Sequence, residues 1–380
     1  MKVSFEKSVL SNAIAPLMGA VSTQKTIAAV EGILMTTSGD DGCVLTSFDL
    51  DKGFKIRIEA KVEESGSYII NGSRLNQIVR AMPDGEVTIS VDNHYTVKIS
   101  SGKSEFELSA LDGSDFPSLP EFRSDLKFTI NQEIFRQMIL RTVFAVAHNE
   151  SRAVLNGAYI VFSNEGIKIA ACDGNRLALR EQKCEIVNVG ERQPEVSFIL
   201  PGKTLSELVK ILKDSDGAVT VSITRRNAVF ESGDLLFFSR IIEGEYLDYN
   251  KFIPSSSKIH CEIETEKFIR SLERAFLVSE EKTSDNTKNY VKCTYESDML
   301  KISSVSANGR VYDEINVENL EGELHIGFDC LYLLEALRAC GTEKIVCGMN
   351  SPLSAMVIKP YDEEGDESFL YLVLPIRMKE

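Results

Sequence analysis

Residues 170–179 read AACDGNRLAL, and their types admit three uses. A small apolar run ends at Asp173-Gly174-Asn175 and Arg176-Leu177-Ala178-Leu179 follows, a pattern of strand, turn and strand. Asp173 is a candidate general acid, an ordinary Asp-Gly hairpin turn, or, with its leucines, part of a socket for another protein. Acid catalysis asks for a His or a second carboxylate at a telling spacing, and none lies near Asp173. The segment SFILPGKT (197–204) ends as a phosphate-binding loop does. That loop needs Gly where Ser197 stands, and Pro201 stiffens the chain just before Gly202. Lys203 therefore reads as a basic residue opening a helix. His148 closes an apolar helical stretch beside Asn149 and Glu150 and reads as a solvent-facing helix end. Eight cysteines (43, 172, 184, 261, 293, 330, 340, 347) contain no C-x-x-C pair, and the four histidines are scattered. The residues predict no catalytic group, no metal site and no cofactor.

Bulk properties narrow the classes further. A chain of 380 residues has room for two or three domains. No apolar run approaches the roughly 18 residues of a membrane span. The start, MKVSFEKSVL, carries charges inside its apolar stretch and does not read as a secretory signal. Free thiols without such a signal point to the cytoplasm. A net charge of −15 argues against a surface that coats nucleic acid everywhere, but leaves room for a local basic face.

The elements that must position these residues recur three times. Each third opens with a strand and an amphipathic segment: VSFEKSVLSNAIAPLMGAV, FTINQEIFRQMILRTVFAVA and CEIETEKFIRSLERAFLVS. Val9, Leu10, Ala13, Ile14 and Leu17 share helical spacing, as do Ile134, Phe135, Met138 and Ile139, and Phe268, Ile269, Leu272 and Phe276. Asn131 and Thr265 stand where N-caps belong. Strand-like stretches follow, then NGSRLNQIVRAM, PGKTLSELVKIL or FDCLYLLEALRAC, then more alternating strands. LDGSDFPSLPEFRSD (111–125) and FIPSSSKIH (252–260) read as linkers. The pattern predicts an α+β protein of three similar domains, 1–125, 126–253 and 254–380, each with two helices packed on antiparallel sheets and each with its own core.

Charge is segregated in this reading. Helices expected at 6–21, 72–82, 132–149, 203–213, 266–278 and 329–338 carry 12 basic and 7 acidic residues, a surplus of +5 that leaves −20 for the rest. A basic helical surface backed by acidic sheets gives that distribution, and so does a simple preference of charged residues for helix surfaces. The helices lack the aromatic interleaving of a base-stacking platform and the Arg, Asn and Gln density of a groove-reading helix. If DNA is bound, contact is with its backbone and independent of sequence.

Four stretches in order, LDGSDFPSLPEF, AHNESRAVLNG (147–157), CDGNRLAL (172–179) and YLVLPIRM (371–378), resemble the bacterial DNA polymerase III beta subunits, the replicative sliding clamps, over essentially the whole chain. The resemblance implies the DNA clamp fold and a non-enzymatic processivity factor. Two protomers would pair head to tail into a six-domain homodimeric ring around duplex DNA. The implied dimer contacts are Phe106, Leu108 and Arg74 with Arg274, Leu277 and Val278. The implied DNA-facing residues are Gln24, Lys25, Arg74, Arg80, Arg136, Arg141, Asn149, Lys203 and Lys210.

For the opening stretch the resemblance implies a hydrophobic pocket between the second and third domains. There the polymerase III catalytic subunit, the clamp loader and other proteins with a clamp-binding motif insert a short peptide. Its lining would be Arg152, Leu155, Cys172, Gly174, Asn175, Arg176, Leu177, Leu247, Phe252, Ser354, Met356, Leu372, Leu374, Pro375 and Ile376. Leu155, Leu177, Leu372 and Leu374 would form the floor, with Arg152 and Arg176 at the border. The sequence departs from the family at Asn175, where His is frequent, at Leu247, where Pro is, and at Gln24, where Arg is common.

Overall fold

The computed structural model describes residues 1–22, 27–38, 42–120, 122, 124, 126–188, 195–213, 215–279, 290–306, 309–362 and 365–378. Six α-helices recur at two per third: α1 (Lys7–Leu17), α2 (Gly72–Ala81), α3 (Gln132–Leu140), α4 (Gly202–Ile211), α5 (Thr265–Ser279) and α6 (Cys330–Cys340). Leu10, Ala13, Ile14 and Leu17 of α1 and Phe268 and Leu272 of α5 are buried as the spacing predicts, but Val9, expected in the α1 stripe, is 40% exposed. Asp329 caps α6 by accepting from the backbone N–H groups of Leu331 and Tyr332, and Gly341 ends it at φ 72°.

Two expectations about helices need correction. The stretch 132–149 is not one helix, because α3 stops at Leu140. Thr142 then turns its hydroxyl back to the Met138 carbonyl at 2.7 Å, and a short 3-10 turn covers Val143–Ala145. His148 consequently lies in an exposed non-helical segment, beside Asn149 at φ 57°. Thr265 is the first residue of α5 rather than its cap, whereas Asn131 directly precedes α3.

The chain forms two compact units. One comprises Met1–Glu133, Val187–Gln193 and Lys210–Ile241; the other comprises Ile134–Ile186, Pro194–Val209 and Ile242–Glu380. The first unit is built on a 14-stranded antiparallel sheet among the described residues. Strand Leu235–Arg240, from the middle third, pairs there with Lys52–Glu59, from the first, so this sheet runs through the junction of two thirds. Phe54 and Phe237 face each other across that pairing with ring centroids 4.4 Å apart. The expected linker at 111–125 is packed onto this unit: Phe116, Leu119 and Phe122 lie against the buried Phe48, Val229 and Phe238.

The second unit holds a nine-stranded and a four-stranded sheet. In the former, Arg176–Lys183 pairs with Glu367–Val373 over seven residues, again joining two thirds of the sequence in one sheet. Cores are therefore shared through sheet pairing, where the sequence pattern suggested one core for each third.

Candidate peptide groove and assembly edges

Period-two alternation builds the candidate groove. Cys172 lies opposite Leu177, Leu177 opposite Leu372, and Leu372 opposite Val357, one row of side chains across four strands. The next row on the same face is Ala170, Leu179 and Leu370. Val154, Ile199, Tyr246 and Tyr249 complete the buried cluster, and Leu155, Cys172 and Leu247 border it half-buried. Phe252 and Leu374, both expected in the lining, are exposed large apolar groups and are not part of this cluster. Val154, Tyr246, Tyr249 and Val357 were not among the expected lining; Val357 was legible by alternation, since it adjoins Met356 in the same strand and must face the opposite way, and the tyrosines flank Leu247 in EYLDYNKF.

The turn at Asp173 is structural. Its Oδ1 accepts from the backbone N–H groups of Asn175 (2.9 Å) and Arg176 (3.0 Å), and its Oδ2 accepts from Arg176 Nε at 2.9 Å. Gly174 supplies the left-handed φ of 89° that the turn needs. The exposed Asn175 carbonyl accepts from Leu374 N–H at 2.8 Å, tying the turn to the chain after the last strand. Ile376 N–H continues to the Gly327 carbonyl, so Ile376 joins the edge of the four-stranded sheet. Ser354 is a turn residue, its hydroxyl accepting from Ser351 N–H at 2.8 Å. Pro375 is half-buried and Arg152 exposed.

Arg176 and Met356 leave the expected lining. Both belong to the opposite row, Arg176–Val373–Met356. Arg176 is 9% exposed, pairs with Asp173 and Glu335, and lies 4.3 Å from the Tyr332 ring centroid. Met356 is fully buried. Farther along that face Arg180, with no exposure, pairs with Glu367 and donates to the Ala339 carbonyl (2.9 Å) and the Tyr371 hydroxyl (2.6 Å). Arg141 donates to both Glu367 oxygens at 3.1 Å, which makes it part of this structural network rather than a free surface cation.

The other basic residues divide sharply. Arg74, Arg80 and Lys203 are exposed, and no ion pair engages them among the described residues. Lys210 is exposed, and Arg136 donates to the Val209 carbonyl at 3.1 Å. On α5 and α6 the cations are matched locally: Lys267 with Glu264, Arg270 with Glu266, Arg338 with Glu273, and Arg274 with Asp313. Gln24 and Lys25 lie outside the described residues.

Of the sheet edges open among the described residues, two carry the expected dimer contacts or lie beside them. Strand Ser104–Asp112 pairs on one side along its length, but on the other only from Ala110 onward, so 104–109 is an edge. Phe106 and Leu108 share a face with the buried Ile99 and Val97, yet Phe106 remains 42% exposed because no strand lies beyond it. Strand Gly309–Asn316 is the outer strand of the four-stranded sheet. Beside it, α5 presents Leu277 at 79% exposure and Val278 half-buried, and the strand's Tyr312 is 62% exposed.

Three family descriptions match the chain in succession: the DNA polymerase III beta subunit N-terminal domain over residues 1–120, its central domain over 129–248 and its C-terminal domain over 250–377. The beta sliding clamp of Bacillus subtilis is 31% identical over 388 residues, covering 99% of this chain and all of that protein. The crystal structure of the Bacillus subtilis sliding clamp superposes with a TM-score of 0.90 at 30% identity, covering both chains completely. The crystal structure of the DNA polymerase beta subunit of Streptococcus pyogenes gives 0.87 at 25% identity, also with full coverage.

The chain belongs to the bacterial DNA polymerase III beta subunit family.

It is a sliding clamp, a processivity factor of α+β, three-domain clamp fold, and the family is non-catalytic. The three lookalike catalytic features fit a clamp. Asp173 pins a turn, Lys203 is a cation on α4, and His148 lies in an exposed connection. No helix among the described residues is long and apolar enough to cross a membrane.

Proposed function

We propose that two copies of this chain close head to tail into a ring around duplex DNA. Each protomer tethers the polymerase III catalytic subunit, the clamp loader and other motif-bearing clients through the Leu177 groove. The observation that carries the dimer is the pair of open edges. Ser104–Ser109 offers unpaired backbone with Phe106 and Leu108, and Gly309–Asn316 offers a second edge flanked by Leu277 and Val278. Joining them extends one sheet across the protomer boundary, satisfies both rows of backbone groups and covers the apolar side chains. Arg74 and Arg274 stand as the nearby charges in this arrangement.

Encirclement needs no sequence contacts, and Arg74, Arg80, Lys203 and Lys210 supply a sequence-independent attraction to phosphate, with Arg136 and Asn149 as further polar groups. The groove suits a short peptide because its floor is apolar and its polar groups are few. We take the domains as 1–125, 126–253 and 254–380, and the site of action as the cytoplasm.

Sedimentation of a Leu277→Asp, Val278→Asp double variant tests the edges. Charges desolvated at the joint should yield folded monomers, and an unchanged dimer sinks the assignment. Loaded rings should run off linear DNA and remain on circular DNA at salt that abolishes phosphate contacts. Equal loss from both would rule out encirclement.

A further inference from the structure

The repeat that divides the chain into thirds also occurs at the two junctions between them. The middle and last thirds meet as strands Arg176–Lys183 and Glu367–Val373, and the first and middle thirds meet in the same way as Lys52–Glu59 and Leu235–Arg240. The turns entering Lys52–Glu59 and Arg176–Lys183 share one wiring. Asp49 Oδ1 accepts from the backbone N–H groups of Asp51 (3.0 Å) and Lys52 (2.8 Å), and its Oδ2 accepts from Lys52 Nζ (2.9 Å). Asp173 holds Asn175 and Arg176 identically. Leu50 takes the left-handed φ of 80° that Gly174 takes at 89°, a conformation rare for leucine. The Asp51 carbonyl accepts from Arg240 N–H at 2.8 Å, as the Asn175 carbonyl does from Leu374. In this register the row Phe48–Gly53–Phe238–Val229 is the counterpart of Cys172–Leu177–Leu372–Val357.

The first of these rows is covered by the chain itself. Phe116, Leu119 and Phe122, three residues apart, lie half-buried on Phe48, Val229 and Phe238, with the Phe122 and Phe238 ring centroids 4.7 Å apart. The Phe238 ring fills the space that a side chain at Gly53 would need, so the floor is aromatic where its counterpart is leucine. Pro117 and Pro120 carry no N–H, and among the described residues no backbone hydrogen bond joins 117–120 to the sheet. Side chains alone hold the segment down, so it can lift without breaking a ladder of backbone bonds. We infer that the junction of the first two thirds carries a second peptide groove, occupied in cis by residues 116–122, and that its ligand class is an extended peptide with an apolar anchor at every third residue. The class of ligand rests on the peptide-groove reading above; the equivalence of the two rows does not. Tethering gives the segment an effective concentration in roughly the millimolar range, which closes this groove to free peptides.

A labelled peptide with the sequence of residues 115–122, DFPSLPEF, tests this on the full-length chain. The triple variant Phe116→Ala, Leu119→Ala, Phe122→Ala keeps the length of the connection and removes its three anchors. It should bind the peptide on the order of a hundredfold more tightly than the wild type does, at one added site per protomer. Saturating peptide should also raise the variant's lowered thermal midpoint. Equal affinities for the wild type and a folded variant would make the segment plain packing and overturn the cis groove. If the triple variant does not fold, Leu119→Ala alone carries the test: a gain of about tenfold is expected, and no gain overturns the inference. Leu177→Ala separates this inference from the reading on which it rests. Added to the triple variant, it should leave the DFPSLPEF site intact, and loss of that site would place the peptide at Leu177 and overturn the cis groove. If Leu177→Ala in the wild type spares binding of a peptide carrying Gln followed by Leu and Phe anchors, the Leu177 groove falls, and the DFPSLPEF titration decides the first junction by itself.

Discussion

The strands Arg176–Lys183 and Glu367–Val373 present two faces made by adjacent residues of the same segments. One carries Leu177, Leu179, Leu370 and Leu372; the other carries Arg176, Arg180, Phe369 and Tyr371. The leucine face borders half-buried apolar groups, among them Leu155, Leu247 and Ile253. The arginine face is closed: Arg180 is held by Glu367, Tyr371 and two carbonyls at the end of α6, and its guanidinium lies 5.2 Å from the Phe369 ring centroid. Intuition would make the charged face the functional one and the apolar face the core. The burial says the reverse, because a fully matched charge network has nothing left to offer a partner, whereas an uncovered apolar row does.

The contrast breaks most visibly at Arg180. Arg180→Met leaves the Glu367 carboxylate short of one of its two cations and strips donors from the Ala339 and Cys340 carbonyls. Removing one member of a fully buried pair costs about 3–5 kcal/mol; with Arg180 buried but Glu367 35% exposed the loss should lie toward the low end, still enough to lower the urea midpoint. The affinity for a client peptide, measured where the variant is folded, should stay within about twofold, since Arg180 faces away from the groove. A large loss of affinity with little loss of stability would mean that the faces are assigned the wrong way round.

Leu372→Ala probes the other face and should divide its effect differently. Leu372 is 4% exposed, and truncating it should cost about 2–3 kcal/mol of stability, the low end for a Leu that borders an opening. Peptide affinity should drop by tenfold or more, because the same side chain belongs to the groove floor. Titration of one labelled peptide against both variants gives the comparison. If Leu372→Ala unfolds the chain as readily as Arg180→Met yet binds peptide normally, the leucine face is ordinary core.

Much of this was legible in the sequence, and the failures have physical causes. Six helices in three pairs followed from apolar spacing, and the antiparallel strands from alternation and turns. The resemblance carried Arg176 and Met356 into the groove by position along the chain. Yet Arg176 adjoins Leu177, and in a strand neighbours point to opposite faces, so alternation already argued against having both. The overlong helix at 132–149 came from reading apolar content past Thr142, whose hydroxyl competes for the Met138 carbonyl. Sheet continuity was beyond reach: nothing local in Lys52–Glu59 announces that Leu235–Arg240 will pair with it. The tyrosines of the cluster were passed over for a related reason, since Tyr246 and Tyr249 lie outside any periodic element and only the fold brings them to Leu177.

The smallest effect is kinetic and reads the two faces through their own thiols. Cys172 sits half-buried on the groove face, where burial lifts its pKa and the Gly174 N–H, 3.4 Å from the sulfur, partly offsets that lift. Cys340 lies buried at the end of α6, its pKa pushed up to about 12. Alkylation requires the thiolate, so a raised pKa slows it at neutral pH, and the rate climbs roughly tenfold per pH unit until the pKa is reached. Iodoacetamide should therefore label Cys172 slowly at pH 7 and faster at pH 8.5, and reach Cys340 only after unfolding. A saturating client peptide should shield Cys172 while leaving half-buried Cys184, which is outside the groove cluster, at its free rate. Mass spectrometry of the labelled chain distinguishes these sites. Equal labelling of Cys172 with and without peptide would place the ligand elsewhere, because a peptide seated on Leu177 cannot leave open the thiol paired opposite it.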